Sequence, residues 1–181
     1  MFSRLKSSFA VVLVCAATLA GCATKPAAFS HQDPQADLYA YKTFAFFEPA
    51  PHERVGSGYS TPVATQLRAA TRAQLEKLGY TYDPSHPDLR VNIMLAVGER
   101  TEVRSTPATV APRYRAWGAT NVETVNYREG TLAVDLVDTQ RRAMVWRGVV
   151  QDRITKKDMQ NVDETVRAAV KEVFARYPAK A

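Results

Sequence analysis

Apolar side chains recur along this chain with two different periods, and each switch between them marks a new element. Residues 39–47 are aromatic and β-prone, and their second half reads as a first strand. Phe44 and Phe46 share one face of it, with Thr43, Ala45 and Phe47 on the other. Residues 48–60 hold Pro49, Pro51, Gly56 and Gly58 and read as a loop. The period then turns helical. Thr61 suits an N-cap and Pro62 the first helical position, where its missing N–H is no loss. Val63, Leu67, Ala70, Gln74 or Leu75, and Leu78 follow one stripe, and Gly79 supplies a left-handed stop.

Residues 80–88 read as a turn with two prolines. From Leu89 the period is two again: Leu89, Val91, Ile93 and Leu95 alternate with Arg90, Asn92 and Met94, predicting a strand over 89–96 that runs on toward Val103. Residues 106–120, with Pro107, Pro112 and Gly118, look loop-like, and 122–127 reads as a further strand. Arg128-Glu129-Gly130 is predicted as a turn. Residues 131–137 and 144–151 then form a hairpin, with Leu132, Val134 and Leu136 on one face of its first strand. Met144, Trp146, Gly148 and Val150 line one face of its second. Pairings that keep these sets together place Asp135 and Arg147 as cross-strand neighbours on the opposite face. A last helix begins within 156–162, capped by Asp158 or Asn161. Its stripe is Val162, Val166, Ala169, Val170, Val173, Phe174 and Tyr177, and Pro178 ends it. The order strand, helix, strands, helix predicts an α+β domain: an antiparallel sheet of four to five strands with two helices packed on one face.

The first residues have a different character. Arg4 and Lys6 precede an apolar stretch, 9–19, of about a dozen residues, where a spanning helix needs about twenty. It ends in Leu19-Ala20-Gly21-Cys22, which resembles the lipobox of bacterial lipoproteins. That resemblance implies cleavage between Gly21 and Cys22 and a thioether-linked diacylglyceryl group on Cys22. The expected organisation is a signal peptide over 1–21, a lipidated flexible tether over 22–36 that is rich in Ala, Pro, Ser and Gln, and a single domain over 37–181. Ala23 stands where an Asp would favour inner-membrane retention, so the expected location is the periplasmic face of a bacterial outer membrane.

Composition narrows the function. Cys15 leaves with the leader and Cys22 is consumed by lipid, so the domain is expected to fold without a disulfide. The formal charge of +6 becomes +4 without Arg4 and Lys6, which reads as a solvated surface, and no nucleic-acid motif is present. His31, His52 and His86 lie apart from ligand-spaced partners, so no metal site is expected, and no phosphate loop, nucleophile elbow or HExxH pattern appears. Asp135 and Asp138 are oddly spaced on a strand and point to opposite faces, against a shared acid–base site. Trp146 reads as core rather than as a binding platform. Arg113, Tyr114, Arg115 and Trp117 interleave cations with aromatics and form the candidate contact loop for an envelope protein or cell-wall polymer.

Several segments together resemble a bacterial envelope family known as domain of unknown function 4136. They are Asp37 with Tyr41-Lys42-Thr43-Phe44-Ala45, then Leu78-Gly79-Tyr80 and Pro87-Asp88-Leu89-Arg90-Val91-Asn92. The run from Gly130 to Asp138, Val145-Trp146-Arg147-Gly148 and Arg176-Tyr177-Pro178 complete the pattern. The sequence departs from it at 139–143, where Arg141-Arg142 stand in place of a more turn-like Thr-Gly. The resemblance implies an α+β lipoprotein domain and no established reaction. The leading expectation is a non-catalytic, membrane-anchored module for binding, assembly or support, with no cofactor beyond the lipid on Cys22. The alternative is an enzyme or small-ligand carrier acting on envelope components.

Overall fold

The computed structural model describes residues 26–47, 61–107 and 120–178. The strands are β1 (Ala27–Gln32), β2 (Thr43–Phe46), β3 (Thr81–Tyr82), β4 (Leu89–Pro107), β5 (Thr120–Asp138) and β6 (Ala143–Ile154). The helices are α1 (Thr61–Lys77), α2 (Lys156–Gln160) and α3 (Val162–Phe174). The sheet order is β1-β6-β5-β4-β2-β3. It is therefore a six-stranded mixed sheet with three helices, which corrects the expected antiparallel sheet of four to five strands with two helices. β2 runs parallel to both β3 and β4, while the other pairings are antiparallel. The physical reason lies in α1: a helix between two strands supplies the long crossover that parallel neighbours need. β3 is only two residues long, too short for its period to register in the sequence.

The largest departure is at the N-terminus. Residues 27–32, expected inside a flexible tether, form β1 and pair along β6 from Ala27↔Gln151 to Gln32↔Trp146. Phe29 is the one large apolar side chain among them and it is exposed, so the hydrophobic pattern is weak; the strand is held by its backbone ladder. Ala36 and Leu38 follow it into the core, so the folded domain starts about ten residues before Asp37.

The turn expected at Arg128-Glu129-Gly130 does not exist. β5 runs straight through, with Gly130 between Val97 and Asp152. A side chain there would crowd Ile154, whose Cδ1 lies 3.0 Å from the position a Cβ would take. Glycine here makes room rather than a bend. Past the ends of β2 and β6, residues 100–107 and 120–127 continue as a two-stranded ribbon. On one face of it Arg100 pairs with Glu129 at 2.9 Å, and Arg153 stacks on Tyr127 at 3.9 Å. Arg104 and Arg153 both reach Glu102 and hold its carboxyl at about 2.

Helices α1 and α3 pack on each other over one face of the sheet. α1 buries Leu67, Thr71 and Leu75, while Leu78 is exposed. Its end is a Schellman turn: Gly79 N donates to Glu76 O and Tyr80 N to Leu75 O, with Gly79 at φ 93°. The last helical stretch divides into two helices, and of the two expected caps Asn161 stands at the N-cap of α3 while Asp158 serves the box of α2. Thr155 caps α2 in a box with Asp158, and Asn161 precedes α3 without a side-chain cap bond. Among the described residues, no helix is long and apolar enough to cross a membrane.

Packing centres on Trp146. Its ring stacks on Phe174 at 5.4 Å and meets Tyr177 edge-on at 5.1 Å. Gly148 opens the space: a Cβ there would sit 2.7 Å from Val173 Cγ1 and 2.8 Å from Trp146 Cζ2. A bulge between Leu136 and Val137 puts both Val145 and Trp146 inside and turns Met144 outward, against its expected place on the Trp146 face. Asp135 stands directly opposite Arg147 on the other face, joined by bonds of 2.6 and 2.8 Å. At the β5–β6 turn, Arg142 adopts φ 52°, the left-handed position where glycine would be at ease.

Asp138 ties that turn to the start of β2. It accepts from Tyr41 Oη at 2.8 Å and from the N–H groups of Gln140 and Arg141 at 2.8 and 2.9 Å. Burial pushes its carboxyl up, but the Arg141 N–H, the Tyr41 hydroxyl and the Gln140 N–H outweigh that and hold it below its ordinary value. Asp88 does the same for β2, accepting from the N–H groups of Lys42 and Thr43.

Two outcomes follow from this packing. Gly148→Ala is expected to destabilise the domain by about 1–3 kcal/mol, read by chemical denaturation, because rings and α3 must shift; a loss under ~0.5 kcal/mol would show the core yields there freely. Asp138→Asn is expected to lose about 1–2 kcal/mol near pH 7. A depressed native value contributes stability above the unfolded value and loses it as pH falls through the native one, so the gap from wild type should narrow below about pH 4. Urea titrations at pH 7 and pH 3 giving the same gap would remove the carboxylate from the account.

Candidate functional site

The sequence-derived site residues do not converge. Gly21 and Cys22 lie outside the described residues, as do Arg113, Tyr114, Arg115, Trp117 and His52. His31 sits exposed on β1 opposite Arg147, and His86 is exposed in the loop before β4. Trp146 is fully buried, and its Nε1 has no hydrogen-bond partner among the described residues. It is a core residue that offers no face to a ligand. Tyr80 and Tyr177 share a 2.6 Å hydroxyl contact, and Tyr80 also donates to Leu38 O at 2.8 Å. Burial raises both phenols above their ordinary value, and their bonds anchor the segment before β2.

Asp135 and Arg147 belong to a polar row that crosses four strands: His31, Arg147, Asp135 and Asn92. The next row along the same face is apolar, with Phe29, Val149, Ala133 and Met94. Asp135 is buried there beneath the Arg147 guanidinium. The pair matches a structural lock between β5 and β6, since both carboxylate oxygens are already taken.

The described residues do enclose one concavity of ligand size, on the helix side of the sheet. It is a groove of about 410 Å³, within the ~300–1,000 Å³ of small-molecule sites. Its floor is Leu95, Val97, Leu132, Val150 and Ile154, and Gly130 deepens it. Val63 and Leu67 of α1 form one wall. Val162, Val166 and Ala169 of α3 form the other, with Met159 of α2 at the mouth. Pro26, just before β1, closes one end. The separation arises because α1 and α3 meet at Leu67, Val166 and the core below, while the small side chains of Ala168 and Ala169 leave the upper part unfilled.

Five polar or charged side chains stand at the rim: Asp152, Arg153, Asp158, Thr165 and Glu172. Asp152 accepts from Arg153 N at 2.7 Å, and Glu172 is half-buried. Asp158 accepts from Thr155 Oγ1 at 2.6 Å and Thr155 N at 2.8 Å; these bonds hold its carboxyl below the ordinary value. Thr165 Oγ1 donates to Asp158 O at 3.3 Å, and Arg153 is committed to Glu102 and Tyr127. Among the described residues, no cluster of three His, Cys, Asp or Glu could hold a metal ion. What the groove can do chemically is shelter an apolar chain or side chain from water. Sequence reading missed it because each lining residue looks like ordinary core; the readable hints were Gly130 and the Ala168-Ala169 pair.

Among curated proteins none matches the chain. Among solved structures, a PDZ domain protein from Parabacteroides distasonis is similar, at a TM-score of 0.56 and 15% identity. The likeness covers 85% of this chain but 36% of that one, and at such identity it speaks to the fold alone. PelC from Paraburkholderia phytofirmans, solved as a dodecamer, gives a TM-score of 0.44 at 10% identity, over 87% of this chain and all of the other. The family described as Domain of unknown function (DUF4136) matches residues 28–179, from within β1 to beyond α3. By that match over nearly the whole domain, this chain belongs to the DUF4136 family.

Proposed function

We propose that this protein is a bacterial envelope lipoprotein, anchored through lipid on Cys22 at the periplasmic face of the outer membrane, whose domain acts by binding rather than by catalysis. The anchor rests on the leader: Arg4 and Lys6, a short apolar run, and Leu19-Ala20-Gly21-Cys22. One observation carries the binding role: the ligand-sized concavity is lined mainly by aliphatic side chains, and at its rim Asp158 and Arg153 are already engaged in structural contacts. Such a site suits apolar recognition and lacks the poised acid–base pair that bond-making or bond-breaking asks for. The basic, aromatic stretch from Arg113 to Trp117 remains the proposed contact for an envelope protein or cell-wall polymer.

The anchor is tested by growing cells with labelled palmitate. The wild type should carry label and fractionate with membranes, and Cys22→Ser should lose the label and retain residues 1–21. An unlabelled wild type whose processing and fractionation are unchanged by Cys22→Ser would overturn the reading.

A further inference from the structure

We propose that the apolar groove between α1, α3 and the sheet houses an acyl chain of the lipid carried by the same molecule's Cys22. The inference rests on the lipid-anchor reading above and goes further, by naming the occupant of the groove.

The argument begins with chain length. β1 consumes residues 27–32, and Pro26 is itself part of the groove lining. Four peptide links separate Cys22 from Pro26, so the two Cα atoms are at most about 14 Å apart whatever path the backbone takes. A tether running to residue 36 would have let the lipid stand far from the domain. With β1 paired to β6, Pro26 is fixed in the groove lining, and the chain length lets Cys22 lie no more than about 14 Å from it.

The lining matches an alkyl chain better than a polar or aromatic solute. Leu95, Leu132, Val150, Val162 and Val166 present methyl groups, and the charged side chains of the lining, among them Asp152, Asp158 and Glu172, are outnumbered by aliphatic ones. Met159 at the mouth is 47% exposed, an adaptable apolar side chain left in water at the point where an acyl chain would enter. The surrounding surface suits a lipid interface. Lys156 and Lys157 are exposed on α2, and Arg128 reaches Met159 Sδ at 3.7 Å. Of the acidic groups there, Asp158 is held in its capping box and Asp163 pairs with Arg167, while Asp152 and Glu164 are exposed and Glu172 is half-buried in the lining. A chain held in the groove would be kept from water whenever the protein is away from a bilayer, since burial of apolar surface is favourable wherever it occurs.

Photocrosslinking of the full-length protein, processed in cells, tests this. p-Benzoylphenylalanine is placed singly at Met159 or Ala168, which line the groove and are exposed, and at Met144 on the opposite face as a control. After purification in mild detergent and irradiation, digestion and mass spectrometry read the adducts, and intact mass reads the acylation of Cys22. The expected result is an adduct, at monomer mass, between positions 159 and 168 and the acyl part of the N-terminal lipopeptide, absent from position 144. Adducts only to phospholipid or other proteins would overturn the inference, as would no lipopeptide adduct from a chain whose Cys22 is shown to be acylated. Both of those outcomes leave the anchor standing. A mass showing Cys22 unacylated would overturn the anchor, and the inference with it.

Discussion

β6 has no free edge. β5 takes one side of it along Ala143–Ile154, and β1 takes the other along Gln151 to Trp146. That double pairing holds the sheet together and fixes where the N-terminus leaves it. On the helix side, the same strand presents Trp146, with Gly148 supplying the gap that lets the indole lie flat against Phe174. On the far side it presents Arg147, which satisfies the buried Asp135 of β5. A buried carboxylate without its partner is strongly unfavourable, so this pair enforces register more than it adds stability.

Several residues of the segments that resemble the family serve as joints of the fold. Asp88 and Asp138 hold the start of β2 and the β5–β6 turn through backbone N–H groups. Tyr80 and Tyr177 bind each other and the Leu38 carbonyl. Trp146 and Gly148 form one packing unit. A pattern of this kind preserves a shape on which different surfaces can be displayed, which is why belonging to the family says much about the scaffold and little about the ligand.

Much of the scaffold was legible in the sequence, and the failures have physical causes. α1 was readable because its stripe and its glycine stop agree, and the Asp135–Arg147 pairing because period-two alternation allows few registers. β1 was not, because an edge strand whose one large apolar side chain, Phe29, is exposed among Ala, Ser, His and Gln gains its stability from backbone pairing that leaves no clear side-chain period. The supposed turn at Gly130 failed because glycine signals either a bend or a close approach, and only Ile154 in three dimensions shows which. Met144 was misplaced by a bulge, since one extra residue at Val145 inverts every side chain beyond it. The groove was invisible for a deeper reason: a void is defined by what does not touch, and periodicity reports only what faces inward.

The proposed lipid placement depends most on β1 being part of the sheet, because that pairing leaves only four peptide links between Cys22 and Pro26 of the groove lining. Amide hydrogen exchange on the mature protein measures it directly. Peptides covering residues 27–32 should be protected to an extent comparable with the paired residues of β6. Exchange across 27–32 at the rate of an unstructured chain, with β6 still protected by β5, would contradict the account at its root.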